Sequence, residues 1–274
     1  DETERKDMGV TLLTRLRDDP AAMDEYIKKW DINGDGGLSA SEEAAAKEAI
    51  STQVIPGYRR FGEFLRDEYV PQARGSIGAS ALPDGREFYR YRVRHFTTLD
   101  RTPDEIHRIG LAEVARIRAE MDAVIRRVEF DGDFAAFVEH IRTTPRFYAK
   151  TDEELMSAAA LVLKRADGKL PELFGRLPRM PYGLREVPDY VAPWTTTAYY
   201  MRPTGDGTRA GFYYLNTHAL PSRPLYILEA LSLHEAVPGH HLQIALQQEM
   251  ENLPKFRQYS NFTAFIEGWA LYAE

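Results

Sequence analysis

The segment from His234 to His241, His-Glu-Ala-Val-Pro-Gly-His-His, concentrates the residue types that bind and use a metal ion. Three histidines lie within these eight residues, and Glu235 directly follows the first. In helical zinc peptidases, two histidines one turn apart hold the ion, and the glutamate between them takes a proton from the metal-bound water. The residue four positions after His234 is Pro238, so the usual spacing is broken.

A local departure from helical geometry would restore that spacing. In a regular helix a residue six positions on is rotated by about 240°, and one seven positions on lies about 10 Å along the axis. Pro238 lacks a backbone N–H and Gly239 tolerates unusual dihedral angles, so a bulge at 237–239 would return His240 to the second ligand position. We predict His234 and His240 as ligands, with His241 as the alternative to His240.

Glu267 is the predicted third ligand, because catalytic zinc takes three protein groups and keeps one open position. It lies in an apolar helical pattern, Phe-Ile-Glu-Gly-Trp-Ala-Leu-Tyr, where an unpaired carboxylate is costly. Glu274 follows two turns later on the same face and is expected to support the ligands or to contact substrate. His218, Arg223 and Tyr214 are weaker candidates for the same two roles.

A second metal-binding pattern lies at residues 31–42, where the spacing fits the EF-hand calcium loop at each diagnostic position. The predicted calcium positions are Asp31, Asn33, Asp35, Gly37, Ser39 and Glu42. The alternative interpretation is a Gly/Asp-rich turn capped by Ser39 or Ser41, since EF-hands pair and no second loop is present. Bound calcium would have a structural role and would favour an extracytoplasmic setting.

The elements that must position these residues are predicted to be mostly helical. Residues 102–105, Thr-Pro-Asp-Glu, are typical of a helix start, and apolar residues at helical spacing continue to Val128. Shorter helices are predicted at 134–142 and 152–165. Prolines between 171 and 203 exclude long helices there, and two runs rich in Thr, Tyr and Phe are typical of strands. The prediction is a mainly α fold with a small β segment at about 195–216.

Composition excludes several classes of protein. Hydrophobic residues make up 43% of the 274 residues, enough to bury a substantial core. The net charge of −7, with arginines interleaved among acids, argues against a nucleic-acid partner. No cysteine is present, which excludes disulfides and thiolate metal sites. No apolar run in the sequence approaches the roughly 18 residues that a transmembrane helix needs.

The two motifs together resemble a bacterial family known as domain of unknown function 885. Its pattern, His-Glu-Ala-x-Pro-Gly-His-His-Leu-Gln followed by Glu-Gly-Trp-Ala-Leu-Tyr-x-Glu, is present at 234–243 and 267–274. The family is similar in fold to Taq-type zinc carboxypeptidases and, more distantly, to thimet-oligopeptidase-like gluzincins. The resemblance implies a helical zincin-like metallopeptidase fold, zinc held by His234, His240 and Glu267, and Glu235 as the general base.

These observations predict a hydrolase, a zinc metallopeptidase that cleaves peptide or amide bonds and is carboxypeptidase-like rather than an endopeptidase. The alternatives are a zinc-dependent acyl-transfer enzyme on a peptide-like substrate and a non-catalytic metal-binding scaffold. We expect an N-terminal helical segment at 1–48 and a metallopeptidase-like domain at 49–274, truncated at its C-terminal end. The expected partner is a peptide or peptide-like substrate. A second polypeptide that completes the groove and a homo-oligomer are both left open.

Overall fold

The computed structural model describes residues 39–205 and 207–274, which belong to two compact units divided after Ile77. The division after residue 48 that the sequence predicts stays a prediction. Of the predicted calcium positions, Asp31, Asn33, Asp35 and Gly37 lie outside the described residues. The calcium loop therefore stays a prediction.

In the described part of the first unit, residues 40–69 form one helical stretch. It consists of α1 (Ala40–Ala49), a π-helical turn (Ile50–Val54), α2 (Ile55–Phe64) and a second π-helical turn (Leu65–Tyr69). Ser39 caps α1 in a reciprocal capping box: the Glu42 N–H donates to Ser39 Oγ (3.3 Å), and the Ser39 N–H donates to Glu42 Oε2 (2.9 Å). This is the cap that the alternative interpretation of the loop expects at Ser39.

Four helices open the second unit, namely α3 (Gly85–Thr97), α4 (Pro103–Arg127), α5 (Phe134–Thr143) and α6 (Asp152–Leu173). The predicted capping box of α4 is confirmed, because Thr102 Oγ1 accepts from the Glu105 N–H (3.2 Å) and Glu105 Oε2 from the Thr102 N–H (2.8 Å). Helix α6 runs beyond the predicted end at residue 165 and includes Pro171 in its last turn. Its apolar face explains the extension, because Leu163 and Leu170 are both buried.

A three-stranded sheet follows, with β1 (Tyr182–Glu186), β2 (Ala198–Met201) and β3 (Gly211–Leu215) in the order β1-β3-β2. Strand β1 pairs parallel with β3, and β2 pairs antiparallel with it at the edge. The sequence did not predict β1. The sheet therefore begins at residue 182 rather than near 195. The mainly α fold with a small β segment is confirmed.

Four C-terminal helices complete this unit: α7 (Leu228–Glu235), α8 (His240–Gln248), α9 (Lys255–Tyr259) and α10 (Thr263–Ala273). Helix α10 packs against both α7 and α8, and α7 packs against α6 and β2. Among the described helices, none is both long and apolar enough to cross a bilayer.

The buried core joins α6, the sheet and α7. Its members are fully or almost fully shielded from solvent and include Leu155 and Leu163 of α6, Tyr213 and Leu215 of β3, and Leu228 of α7. Burying such side chains stabilises a fold by about 1.5–3 kcal/mol each. This core fixes α7 against the sheet, and α7 carries the first two residues of the metal motif.

Candidate metal centre

The chain between His234 and His240 breaks the helix completely. Helix α7 ends at Glu235 and α8 begins at His240, with Ala236 (φ −108°, ψ −102°) and Gly239 (φ −73°, ψ −126°) outside helical geometry and a cis peptide bond before Pro238. A Cβ on Gly239 would lie 2.0 Å from the carbonyl oxygen of His234, so only glycine fits. The predicted bulge within one helix is therefore corrected to a break between two helices.

The break brings together the three residues predicted as zinc ligands. Glu267 Oε2 lies 3.6 Å from His234 Nε2 and 3.8 Å from His240 Nε2. The two imidazole rings are 4.7 Å apart and nearly perpendicular. One donor atom from each residue lies within 4.8 Å of the others. Ligands of tetrahedral zinc are about 3.3 Å apart, given bonds of about 2.0–2.1 Å, so the separations measured here are somewhat wider than such an ion would set.

The cluster is closed on the histidine side and open on the glutamate side. The side chains of His234 and His240 are 16% and 10% exposed, whereas that of Glu267 is 51% exposed. Burial lowers the pKa of His240, against the opposing charge of Glu267, and so favours the neutral imidazole that binds metals. An ion held here would keep a solvent-facing coordination position, as catalytic zinc requires.

Glu235 is buried beside the cluster, with 8% of its surface exposed. Burial raises its pKa to about 7, and the charge of Glu267 adds to the rise. The charge of His234 and a backbone hydrogen bond with Tyr200 of β2 act in the opposite direction. A carboxyl group with this pKa can accept a proton and return it near neutral pH, as general-base chemistry requires.

Helix α10 and its C-cap residue Glu274 make two further contacts, one with α7 and one with the break. Glu274 Oε1 lies 2.8 Å from His234 Nδ1, so the predicted supporting carboxylate reaches a predicted ligand. The indole N–H of Trp269 donates to the carbonyl oxygen of Pro238 (2.7 Å). The second contact was missed from the sequence, although a carbonyl inside a helix break needs a donor from elsewhere.

His241, the predicted alternative ligand, lies away from the cluster and is 1% exposed. Its Nε2 is 3.0 Å from the carbonyl oxygen of Met180, and its Nδ1 is 2.8 Å from the hydroxyl of Tyr200. Because a carbonyl can only accept, Nε2 carries the hydrogen and the Tyr200 hydroxyl donates to Nδ1. Burial lowers the pKa of His241 to about 4, which keeps the ring neutral. The Tyr200–His241–Met180 link was not predicted.

The weaker candidates lie outside this cluster. His218 is exposed, and its backbone N–H donates to Asn216 Oδ1 (2.9 Å). The Arg223 guanidinium donates to the carbonyl oxygen of Asn216 (3.2 Å), which holds it against the loop after β3. Tyr214 stacks on Tyr199 with ring centres 4.8 Å apart. Within the described residues, the group able to share a metal ion contains none of the three candidates.

A solved structure described as "the putative lipoprotein from Colwellia psychrerythraea" is similar to this chain, with a TM-score of 0.83 and 28% sequence identity. The match covers 92% of this chain and 44% of the other, so this chain spans less than half the length of that protein. No curated protein matches. A family model matches residues 10–274. The chain therefore belongs to the family described as "Bacterial protein of unknown function (DUF885)".

Proposed function

We propose that this chain carries the metal-binding and general-base residues of a zinc metallopeptidase that hydrolyses peptide or amide bonds. One observation carries the proposal: His234 Nε2, His240 Nε2 and Glu267 Oε2 converge with separations of 3.6 and 3.8 Å from the carboxylate oxygen, next to a buried glutamate. Two imidazoles and one carboxylate form a ligand set that catalytic zinc uses.

The chemistry divides between the ion and Glu235. When bound, zinc would polarise the scissile carbonyl and make water a stronger acid. Glu235 accepts a proton from the attacking water and returns it to the leaving amine, which its raised pKa supports. The exposed side of Glu267 leaves room for a substrate carbonyl to approach.

The finer assignment within this class rests on resemblance. Similarity to Taq-type zinc carboxypeptidases favours removal of C-terminal residues over internal cleavage. A zinc-dependent acyl transfer on a peptide-like substrate would use the same residues. An extracytoplasmic setting is also part of the proposal, supported by the description of the similar structure as a lipoprotein and by the EF-hand-like pattern at 31–42.

A non-catalytic metal-binding scaffold is the second candidate. It would bind the ion through the same three residues, and this chain spans 44% of the similar structure's chain. A substrate groove that needs residues from outside this chain would leave the metal ligands in place without turnover. A longer protein, or a second polypeptide, would then complete the site.

The test combines metal analysis with a substrate screen. We expect about one zinc per purified chain, as a single catalytic site holds. Peptides with free and with amidated C-termini separate carboxypeptidase activity, which needs the free carboxylate, from endopeptidase activity. Glu235→Gln should retain zinc and lose about 10²–10⁴-fold in turnover, because it removes the base but no ligand.

Three outcomes decide between the candidates. Unchanged hydrolysis in Glu235→Gln would refute the assigned base. Stoichiometric zinc without turnover, including in the full-length protein, would favour the scaffold. Absence of zinc from the wild-type protein, even after incubation with zinc, would refute the metal centre itself.

A further inference from the structure

We infer that Glu274 is the positioning residue for His234: it fixes the tautomer and ring orientation that present Nε2 to the metal. The inference rests on the proposed zinc site and adds a role that is neither ligand nor base. It also chooses between the two roles expected for Glu274 from the sequence, in favour of supporting a ligand rather than contacting substrate.

The hydrogen bond between Glu274 and His234 determines where the ring proton lies. Glu274 Oε1 is 2.8 Å from His234 Nδ1. An ionised carboxylate can only accept, so Nδ1 carries the hydrogen, and in the neutral ring Nε2 then keeps its lone pair. Nε2 is the atom that faces Glu267 Oε2 at 3.6 Å. The acceptor on one side of the ring therefore leaves the other side free for a metal ion.

The spacing between Glu267 on α10 and Glu274 at the C-cap of α10 makes this arrangement possible. Glu267 and Glu274 are seven residues apart, which places them on one face of the helix and about 10 Å apart along its axis. The imidazole of His234 lies between them and presents one nitrogen to each carboxylate. Helix α10 thus supplies a ligand, and its C-cap residue supplies the group that orients a second ligand.

His240 shows what holds a ligand that has no such partner. Within the described part of the chain, its buried Nδ1 makes no hydrogen bond. The ring is instead enclosed, with 8% of the residue exposed, and lies alongside Tyr200 with ring centres 6.4 Å apart. Packing therefore holds His240, whereas His234 depends on a specific acceptor.

Glu274 is also placed so that its removal can be tested without dismantling the fold. Its side chain is 36% exposed, so truncation opens no closed cavity. Metal affinity, rather than stability, is then the property expected to change. Groups that hydrogen-bond to a metal-bound histidine typically alter metal affinity by about 10–100-fold.

The experiment measures the zinc dissociation constant of the purified chain by competition with a chromophoric chelator. It compares wild type with Glu274→Ala, Glu274→Gln and Glu229→Ala. The last is a matched control, because Glu229 is an exposed glutamate on the same helix as His234. We expect affinity to fall about 10–100-fold in Glu274→Ala, to fall less in Glu274→Gln, and to stay unchanged in Glu229→Ala.

The glutamine variant separates orientation from charge, because its amide oxygen can still accept from Nδ1. Equal losses in Glu274→Ala and Glu274→Gln would overturn the orienting role and leave only an effect of charge. Unchanged affinity in Glu274→Ala would overturn the inference while the zinc site stands. A loss of unfolding free energy in metal-free Glu274→Ala that equals its loss of zinc-binding free energy would likewise overturn the inference. The role of Glu274 would then be structural.

A wild-type chain that does not bind zinc would refute the proposed function, and the positioning role with it. That outcome differs from the others because it appears in the wild type before any variant is measured. The two levels of the proposal therefore fail in distinguishable ways.

Discussion

His240 and His241 are neighbours in the chain but belong to two different environments. His240 lies on what we call the metal face, formed by His234, His240 and Glu267. Here the histidine Nε2 atoms both approach Glu267 Oε2, and the glutamate is half exposed. No protein donor or acceptor within the described residues occupies the remaining side of His240.

His241 lies on what we call the anchor face, formed by His241, Tyr200 and Met180. Both ring nitrogens are engaged by protein groups, at 2.8 and 3.0 Å, and the residue is fully enclosed. A neutral imidazole has one donor and one acceptor, and both are already used. Because both nitrogens of His241 are engaged and those of His240 are not, we expect His240 rather than His241 to bind a metal.

The largest effect, on zinc binding, is expected from substituting the histidine of each face in turn. His240→Ala should lose stoichiometric zinc, with affinity reduced by more than the roughly 100-fold typical of supporting groups. His241→Gln should keep its zinc, because glutamine can still accept from Tyr200 and donate to Met180. Metal content after gel filtration measures both variants. Zinc lost from His241→Gln and retained in His240→Ala would reverse the comparison.

The next largest effect, on the free energy of unfolding, is expected at Gly239 in the break between α7 and α8. Gly239→Ala would place a Cβ 2.0 Å from the His234 carbonyl oxygen and 2.3 Å from that of Leu233. Backbone atoms cannot move aside as a flexible side chain would, so we expect a loss of about 3 kcal/mol in unfolding free energy. Urea denaturation measures it.

The matched control for this change is Gly268→Ala on α10, where an added Cβ meets nothing within 4 Å. Alanine is the better helix former by about 1 kcal/mol, so this variant should be neutral or more stable. Equal destabilisation of the two variants would show that the break does not require glycine.

A smaller effect is expected on the anchor face alone. Tyr200→Phe removes the donor to His241 Nδ1 and leaves a buried acceptor unpaired, which costs about 1–3 kcal/mol. Zinc content should stay at the wild-type level, because no ligand is altered. Tyr199→Phe is the control: Tyr199 is the neighbouring residue on the same strand, so its side chain points to the opposite face of the sheet, where it stacks on Tyr214. Loss of zinc in Tyr200→Phe at unchanged stability would show that the anchor face also holds the ion.

Elements whose signals lie within a few neighbouring residues could be predicted from the sequence. The Thr102–Glu105 start of α4 could be predicted because each residue of a capping box interacts within one turn. Strand β1 could not, because it pairs in parallel with β3, from which it is separated by a stretch rich in proline, and Gly183 interrupts its pattern. Parallel pairing depends on contacts distant in sequence.

The candidate site also has features that the sequence predicts and features that it does not. The identity of the three clustered residues followed from residue types and motif spacing. The break that brings His240 to His234 could not be derived in detail, because one of its contacts comes from Trp269, 31 residues after Pro238. The separate role of His241 depends on Met180, 61 residues away. Each missed feature is a hydrogen bond between segments that the sequence pattern leaves unrelated.

The smallest effect is expected at the contact between Trp269 and the break. Trp269→Phe keeps an aromatic ring against Phe174 but removes the donor to the Pro238 carbonyl, a hydrogen bond of about 0.5–1.5 kcal/mol. We expect stability to fall by about 1 kcal/mol. Zinc affinity should fall by less than about 10-fold, which is the smallest change typical of a group that hydrogen-bonds directly to a metal ligand. Within the described residues, Trp269 makes no such bond and can affect Glu267 only by shifting α10, the helix that carries both residues.

Trp194→Phe is the control for this change, since Trp194 is 44% exposed and lies outside the metal motif. Thermal unfolding and chelator competition on both variants make the measurement. A Trp269→Phe variant that matches Trp194→Phe in both properties would show that the indole hydrogen bond contributes nothing to the break. A loss of zinc affinity as large as that of Glu274→Ala would show that the helix break is set by α10 rather than by its own residues, and that the metal face forms only when α10 is docked.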